Sequence, residues 1–570
     1  MNLRQILNDK VSEALSRVSG ETDCQALVSY SKSPQFGDYQ ANGVMPLAKK
    51  LGLNPLELGQ KVLSSLDLSD LAEKVELAGP GFINIFISKV ILGKALNGLN
   101  KDRLLEPTAK PQNIVIDYSS PNLAKEMHVG HLRGTIIGDA LARTFEWMGH
   151  HLIRQNHFGD WGTQFGMLIT YMLELDDPQT GLENLEAFYR AAKQRFDEDA
   201  GFARQARENV VKLQSGDKQC LQLWREFIEV SIQHCQQVYE KLNITLGAED
   251  IVPESFYNDK LAGILQSLQE QKLLQQSEGA QCVFLDEFRN KEGEPLPTIV
   301  QKSDGGYLYA TTDLAAIQHR CQKLHAERIL YVVDARQSLH FQQVFAVARL
   351  AGFAPPGRTL EHVSYGTMMG SDGKPFKTRS GGTVKLIELI DEGIERAARI
   401  VEEKNPELTT EEKQLVARTV GVSAIKYADL SKNRNSDYIF DWDQMLSFEG
   451  NTAPYMLYAY ARIRSIFRRA ELDPDAVYPV SIDADEEREL ALKLMQFAEV
   501  IDNLMEDCFP NQLCLYLYEL AGKFMSFYEA CPVLKAEGAV KNSRLGLCQL
   551  TSLTLKQGLN LLGIETLERM

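Results

Sequence analysis

At 570 residues the chain is too long for a single hydrophobic core, and roughly two to four domains are expected. Hydrophobic residues at 44% and charged residues at 24% describe an ordinary globular protein, while the net charge of −16 excludes a uniformly basic nucleic-acid binder. An acidic protein can still hold RNA along a local basic strip, so composition alone leaves that partner open.

The opening stretch MNLRQILNDKVSEAL has acids at amphipathic spacing instead of an apolar signal core, and no run reaches membrane-spanning length, so a cytoplasmic protein with no membrane partner is expected. Nine cysteines lie scattered from Cys24 to Cys548 without a Cys-x-x-Cys pair, which points to buried thiols and not to a disulfide framework or zinc site. Residues 1–108 read as a first module, with a helical start, the polar segment Phe36 to Asn42 and a strand-like Gly81 to Ile87. Ile114 to Ile116 read as a strand, broken by Ser119, Ser120, Pro121 and Asn122. From Val129 the apolar residues Leu132, Ile136, Ile137, Leu141, Phe145 and Met148 recur at helical spacing, and Gly149 suits the stop. This is the opening of a Rossmann-like α/β sheet, with further strands expected at His151–Gln155, Tyr307–Ala310, Arg328–Val333 and His362–Met368. Charge-rich helical sequence from Leu182 to Leu242, read as a solvated helical pair, lies in an insertion near 176–300. After about Thr410 the pattern is helical only, giving a Rossmann-like domain at 109–405 and an α-helical domain at 406–570.

At the turn into the first helix sit His128, Gly130 and His131. Two imidazoles three residues apart at a helix start, where free N–H groups and the dipole favour anions, suit phosphates, and Gly130 lets a flat base approach the backbone. Neutral imidazoles can donate N–H to charge developing at phosphorus. Asp117 at a strand end and Asp313 four residues after Tyr309 could bracket a guanidinium, although Asp313 alone could equally be a helix cap. The stretch Gly373 to Gly382 is a basic, glycine-flanked loop able to close on a polyanion. In Gly450 to Ala470, Tyr455, Tyr458, Arg462 and Arg469 share one helical face while Met456, Ile463 and Phe467 point elsewhere. Such a stripe suits stacking on single-stranded RNA, the alternative being a solvated face with snorkelling arginines.

The segment Ser119 to Gly134, SSPNLAKEMHVGHLRG, resembles the HIGH signature of class I aminoacyl-tRNA synthetases in its arginyl-tRNA synthetase form. Similar segments continue at Asn156–Gly166, Tyr309–Asp313, Lys374–Gly381 and Glu568–Met570, so the resemblance spans the chain. It implies activation of arginine with ATP, transfer to tRNA(Arg), and activation that requires bound tRNA. It further implies an N-terminal α+β domain that grips the tRNA elbow, with Tyr39, Gln40, Asn42, Phe82 and Asn84 as contacts, and a helical anticodon-binding domain using Tyr458, Arg462 and Met570. Arginine would meet Asp117, Ser120, Asn122, His128, Tyr309, Asp313 and Gln337; ATP would meet His128, Gly130, His131, Thr367, Met368 and Lys377. The usual Lys-Met-Ser-Lys tetrad is absent, with Lys377 and Arg379 in its place, and Lys125, three residues before His128, is expected to supply the missing charge. ATP would come with Mg²⁺, with no protein-bound zinc and no editing module, and the family implies a monomer. Two other readings stay open: a nucleotidyl-transferring enzyme that uses no tRNA, and a synthetase-like RNA-binding protein without activity. The first is weakened by the long helical C-terminal region, the second by intact His128, Gly130, His131 and Lys125.

Overall fold

The structure, a computed structural model, describes residues 1–175, 185–377 and 384–570, in two compact units. The first comprises residues 1–106, 448–560 and 565–570, the second 107–447 and 561–564.

In the first unit, α1 (Leu3–Ser19) is followed by β1 (Val28–Tyr30), β2 (Tyr39–Ala41), α2 (Val44–Leu51), α3 (Pro55–Ser65), β3 (Ala72–Ala78), β4 (Phe82–Ile87) and α4 (Lys89–Asn97). The strands form an antiparallel sheet in the order β1-β2-β4-β3. Alternate residues Ile83, Ile85 and Ile87 face the core with no exposed surface, as the period of two in a strand requires.

The second unit carries β5 (Asn113–Asp117), α5 (Leu132–Trp147) and β6 (His151–Gln155). Next come α6 (Thr163–Glu174), α7 (Leu185–Glu198), α8 (Ala200–Gln214), α9 (Lys218–Lys241) and α10 (Leu261–Glu270). The expected helical pair is therefore three helices, α7 to α9, among the described residues. A small antiparallel sheet, β7 (Leu274–Ser277), β8 (Ala280–Val283) and β9 (Thr298–Gln301), leads to α11 (Tyr309–Gln322). The chain then re-enters the main sheet as β10 (Arg328–Tyr331), α12 (Ser338–Leu350) and β11 (Thr359–His362). That sheet is parallel throughout in the order β11-β10-β5-β6. Ile114, Val115 and Ile116 are fully buried because helices cover both faces of such a sheet. Strand order reverses between β5 and β10, and a ligand crevice opens beyond the carboxyl ends of strands at such a switch point.

One expectation is corrected here. Tyr307–Ala310 is not a sheet strand: Tyr307 makes one isolated bridge, and Tyr309 opens α11 after extended Leu308. The boundary expected at 405/406 falls inside the second unit, which continues through β12 (Met368–Met369), α13 (Leu386–Lys404), α14 (Thr410–Leu430), β13 (Tyr438–Ile439) and α15 (Trp442–Met445) to Ser447. Helices α13 and α14 approach so closely that a Cβ on Gly421 would stand 2.7 Å from the Gly393 carbonyl carbon, so only glycine fits that crossing.

Back in the first unit, α16 (Ala453–Arg469), α17 (Asp485–Met495), α18 (Phe497–Asp507), α19 (Pro510–Ala530) and α20 (Gly538–Leu561) form the helical part. The Asp38 carboxylate accepts two hydrogen bonds from Arg488 there, at 3.0 and 2.6 Å. Eight of the nine cysteines are buried.

Candidate active site

The signature turn is built by hydrogen bonds from its own backbone. His128 Nδ1 accepts the Gly130 N–H at 3.1 Å, and His131 Nδ1 accepts the His128 N–H at 3.1 Å. An imidazole nitrogen that accepts carries no proton, so each neutral ring carries its proton on Nε2. Burial first, then the neighbouring His128 and Lys125, hold the His131 pKa down to about 3, so the ring is neutral at physiological pH. The two rings lie 4.0 Å apart. A Cβ on Gly130 would stand 2.8 Å from His128 Cε1, which is why glycine occupies the position between them.

Just upstream, Ser119 and Ser120 adopt φ of 66° and 44°, a region costly for side chains other than glycine and common at functional sites. The Ser120 hydroxyl donates to Asp117 at 2.8 Å and accepts the His157 N–H at 2.9 Å. Lys125 is exposed, with its ammonium 4.4 Å from the centre of the Tyr189 ring on α7. Lys377 is exposed, and Arg379 lies outside the described residues. Thr367 donates its N–H to Asp437 at 2.6 Å and its carbonyl accepts from Tyr438, while the Met368 carbonyl accepts from Phe376. The backbone expected to meet adenine is thus already bonded at these groups, because it holds β12 against β13.

The amino-acid residues divide. The Asp117 carboxylate accepts from Arg320 at 2.6 Å, with side-chain exposures of 6% and 0%. Asp313 and Tyr309 sit one turn apart on α11, and Asp313 accepts a hydrogen bond from His340 Nε2 at 2.6 Å. Tyr309 lines a cavity of about 750 Å³ together with Asn122, Trp161, Glu254, Lys302 and Thr312. Gln337 is exposed in the turn after β10, and Ser120 stays beside Asp117.

Glu254 was not visible as a site residue in the sequence, where a single acid in Val252-Pro253-Glu254-Ser255-Phe256 gives no periodic or motif signal. Burial first, then the charges of Asp313 and Asp160, push its pKa up to about 7. A carboxyl raised by burial and like charge on the wall of a cavity is prepared for a cation.

In the first unit, two of the expected RNA contacts are buried. Tyr39 has no exposed surface and its phenol donates to buried Glu499 at 2.6 Å; Asn84 is likewise buried, accepting from Gln40 at 2.9 Å. Gln40, Asn42 and Phe82 are half-buried. On α16, Tyr458 is 41% exposed while Met456, Ile463 and Phe467 are buried, as the helical period implies. The Arg462 guanidinium lies 5.3 Å from the Tyr528 ring centre, and Met570 is half-buried.

Comparisons with known proteins bear on the whole length. Residues 95–442 match the family model of the catalytic domain of class I (R) tRNA synthetases, 456–570 the DALR anticodon binding domain, and 5–87 the arginyl tRNA synthetase N terminal domain. An arginine–tRNA ligase of Marinomonas sp. (strain MWYL1) is 58% identical over 577 residues, and one of Haemophilus influenzae (strain PittEE) 55% identical over 578, each covering 100% of both chains. Among solved structures, arginyl-tRNA synthetase from Plasmodium falciparum aligns with a TM-score of 0.87 at 32% identity, covering 100% of this chain and 99% of that one. The Thermus thermophilus arginyl-tRNA synthetase aligns with a TM-score of 0.85 at 26% identity, covering 100% of each.

Proposed function

Because the chain belongs to the arginyl-tRNA synthetases of class I, we propose how its own residues carry out the reaction of that family. The protein is an arginine–tRNA ligase: it uses ATP to attach arginine to tRNA(Arg). In the first step an oxygen of the arginine carboxylate attacks the α-phosphorus of ATP, giving arginyl-adenylate and pyrophosphate. In the second a ribose hydroxyl of the terminal tRNA nucleotide attacks the arginyl carbonyl and AMP leaves. The nucleophile of the first step is already a carboxylate, so positioning and charge stabilisation carry the chemistry.

His128 and His131 donate hydrogen bonds from Nε2–H to the phosphate oxygens, and Lys125 leaves Tyr189 to add a full charge, with Lys377 and Arg379 as further cationic partners of the phosphates. Asp313 and Glu254 hold the guanidinium, with Tyr309 beside it; Ser120, Asn122 and Gln337 face the α-amino and carboxylate groups. Mg²⁺ travels with the ATP phosphates, since the N–H donors at the signature turn fit phosphate oxygen and offer the ion no oxygen ligand. Gln40, Asn42 and Phe82 meet the tRNA elbow, and Tyr458, Arg462 and Met570 the anticodon. The protein works in the cytoplasm as a monomer, and activation requires bound tRNA.

The observation that supports these roles most strongly is the pair of imidazoles fixed in the Nε2–H form at the sheet's switch point. ATP–pyrophosphate exchange with arginine, measured with and without tRNA(Arg), tests the proposal. Exchange that depends on both supports it; full exchange without tRNA removes the tRNA requirement. Replacing both Tyr458 and Arg462 by Ala should suppress exchange at low tRNA, with recovery at saturation.

A further inference from the structure

We propose that His340 is a positioning residue for arginine: it occupies one oxygen of Asp313, so that the substrate guanidinium must bridge Asp313 and Glu254 and cannot lie on a single carboxylate. This rests on the reading of the cavity beside α11 as the arginine site.

The geometry is local and closed. His340 lies in the first turn of α12, packed on α11, and its Nε2 stands 2.6 Å from Asp313 Oδ2. Their side chains are 18% and 15% exposed. An ionised carboxylate has no hydrogen to give, so the imidazole nitrogen is the donor. Tyr309 meets the ring edge-on at 5.4 Å between centroids, and Phe341 does so at 5.3 Å. Held between two aromatic rings, the imidazole cannot swing away without losing both contacts.

This bond changes what Asp313 can recognise. A carboxylate with both oxygens available takes a guanidinium as a two-bond fork. With Oδ2 engaged, Oδ1 remains, and the second acceptor must come from elsewhere. Glu254 lines the same cavity as Tyr309 and Thr312 of α11 and lies within the field of Asp313. A planar guanidinium can extend separate in-plane N–H groups to two carboxylates, whereas a compact ammonium at the end of a flexible stem is a point charge without that span. His340 thereby turns attraction for any cation into a preference for a planar, forked one.

The test is steady-state aminoacylation by the full-length protein, with KM measured separately for arginine and ATP, in His340→Ala, His340→Leu, His340→Gln and, as a reference for the pocket, Asp313→Asn. Without the donor Asp313 is no longer held in the orientation that pairs it with Glu254, which predicts an arginine KM raised about tenfold or more in the Ala and Leu variants, with the ATP KM and kcat little changed. The Gln amide can reach the same oxygen and should keep the arginine KM within about threefold. Leu retains bulk and serves if Ala fails to fold. An unchanged arginine KM in both donor-free variants, equal loss in the Gln variant, or parallel rises for ATP would overturn the proposal. If Asp313→Asn raises the arginine KM and the donor-free variants do not, the positioning role falls alone. If Asp313→Asn has no effect, the pocket reading falls with it.

Discussion

The guanidinium of Arg320 lies 2.6 Å from the carboxylate of Asp117 at the carboxyl end of β5, with neither side chain open to solvent. Arg320 also donates to Gln155 at 2.5 Å and covers the Tyr331 ring at 5.0 Å, so the pair joins β5, β6, β10 and α11 beneath the crevice. A buried pair of this kind braces the floor of the crevice. Arg320→Met alone should destabilise the second unit by about 3–5 kcal/mol, because it strands a buried charge, whereas adding Asp117→Leu should recover most of that loss. Urea denaturation followed by tryptophan fluorescence measures both. If the stable double variant lost arginine binding selectively, Asp117 would be a substrate ligand after all.

The raised carboxyl of Glu254 sets a pH dependence. Below about 7 the empty site holds it protonated and neutral; above that value it ionises and attracts the guanidinium. The ratio kcat/KM for arginine, which reports the free enzyme, should therefore rise with pH through about 7 and level off above it. Glu254→Gln should lower the plateau and remove that inflection. A wild-type profile that stays flat between pH 6 and 8, roughly one unit either side of that value, would separate Glu254 from arginine binding.

What could be read from the sequence was what is local. The strand through Ile114 to Ile116, the serine-rich break and the helix after His131 are written in neighbouring residues, and so is the spacing that lets His128 and His131 cap one another. The partner of Asp117 is 203 positions away, and nothing near Arg320 marks it as buried. Glu254 gains its character only on folding, from burial and then from the charges of Asp313 and Asp160. Tyr307–Ala310 looked like a strand because its residues are aromatic and apolar, yet Thr311, Thr312 and Asp313 continue it as helix. The close crossing of α13 and α14 depends on Gly393 and Gly421, which lie on different helices and signal nothing separately.

Lys125 rests over Tyr189 and stands near enough to His131 to help keep that ring neutral. Lys125→Ala should slow adenylate formation by about tenfold or more while leaving tRNA affinity nearly unchanged, since its charge acts on the phosphoryl transition state. Single-turnover formation of arginyl-adenylate in the presence of tRNA measures the first, and filter binding the second. An unchanged rate would return the task to Lys377 and Arg379.

The central claim, that arginine is recognised through Asp313 together with Glu254, is tested most directly by the aminoacylation kinetics of Asp313→Asn. Removing one partner of a desolvated charge pair costs about 2–5 kcal/mol, so kcat/KM for arginine should fall by about thirtyfold or more while the KM for ATP stays within about twofold. Equal worsening of the arginine and ATP parameters would contradict the account and place the amino-acid pocket elsewhere.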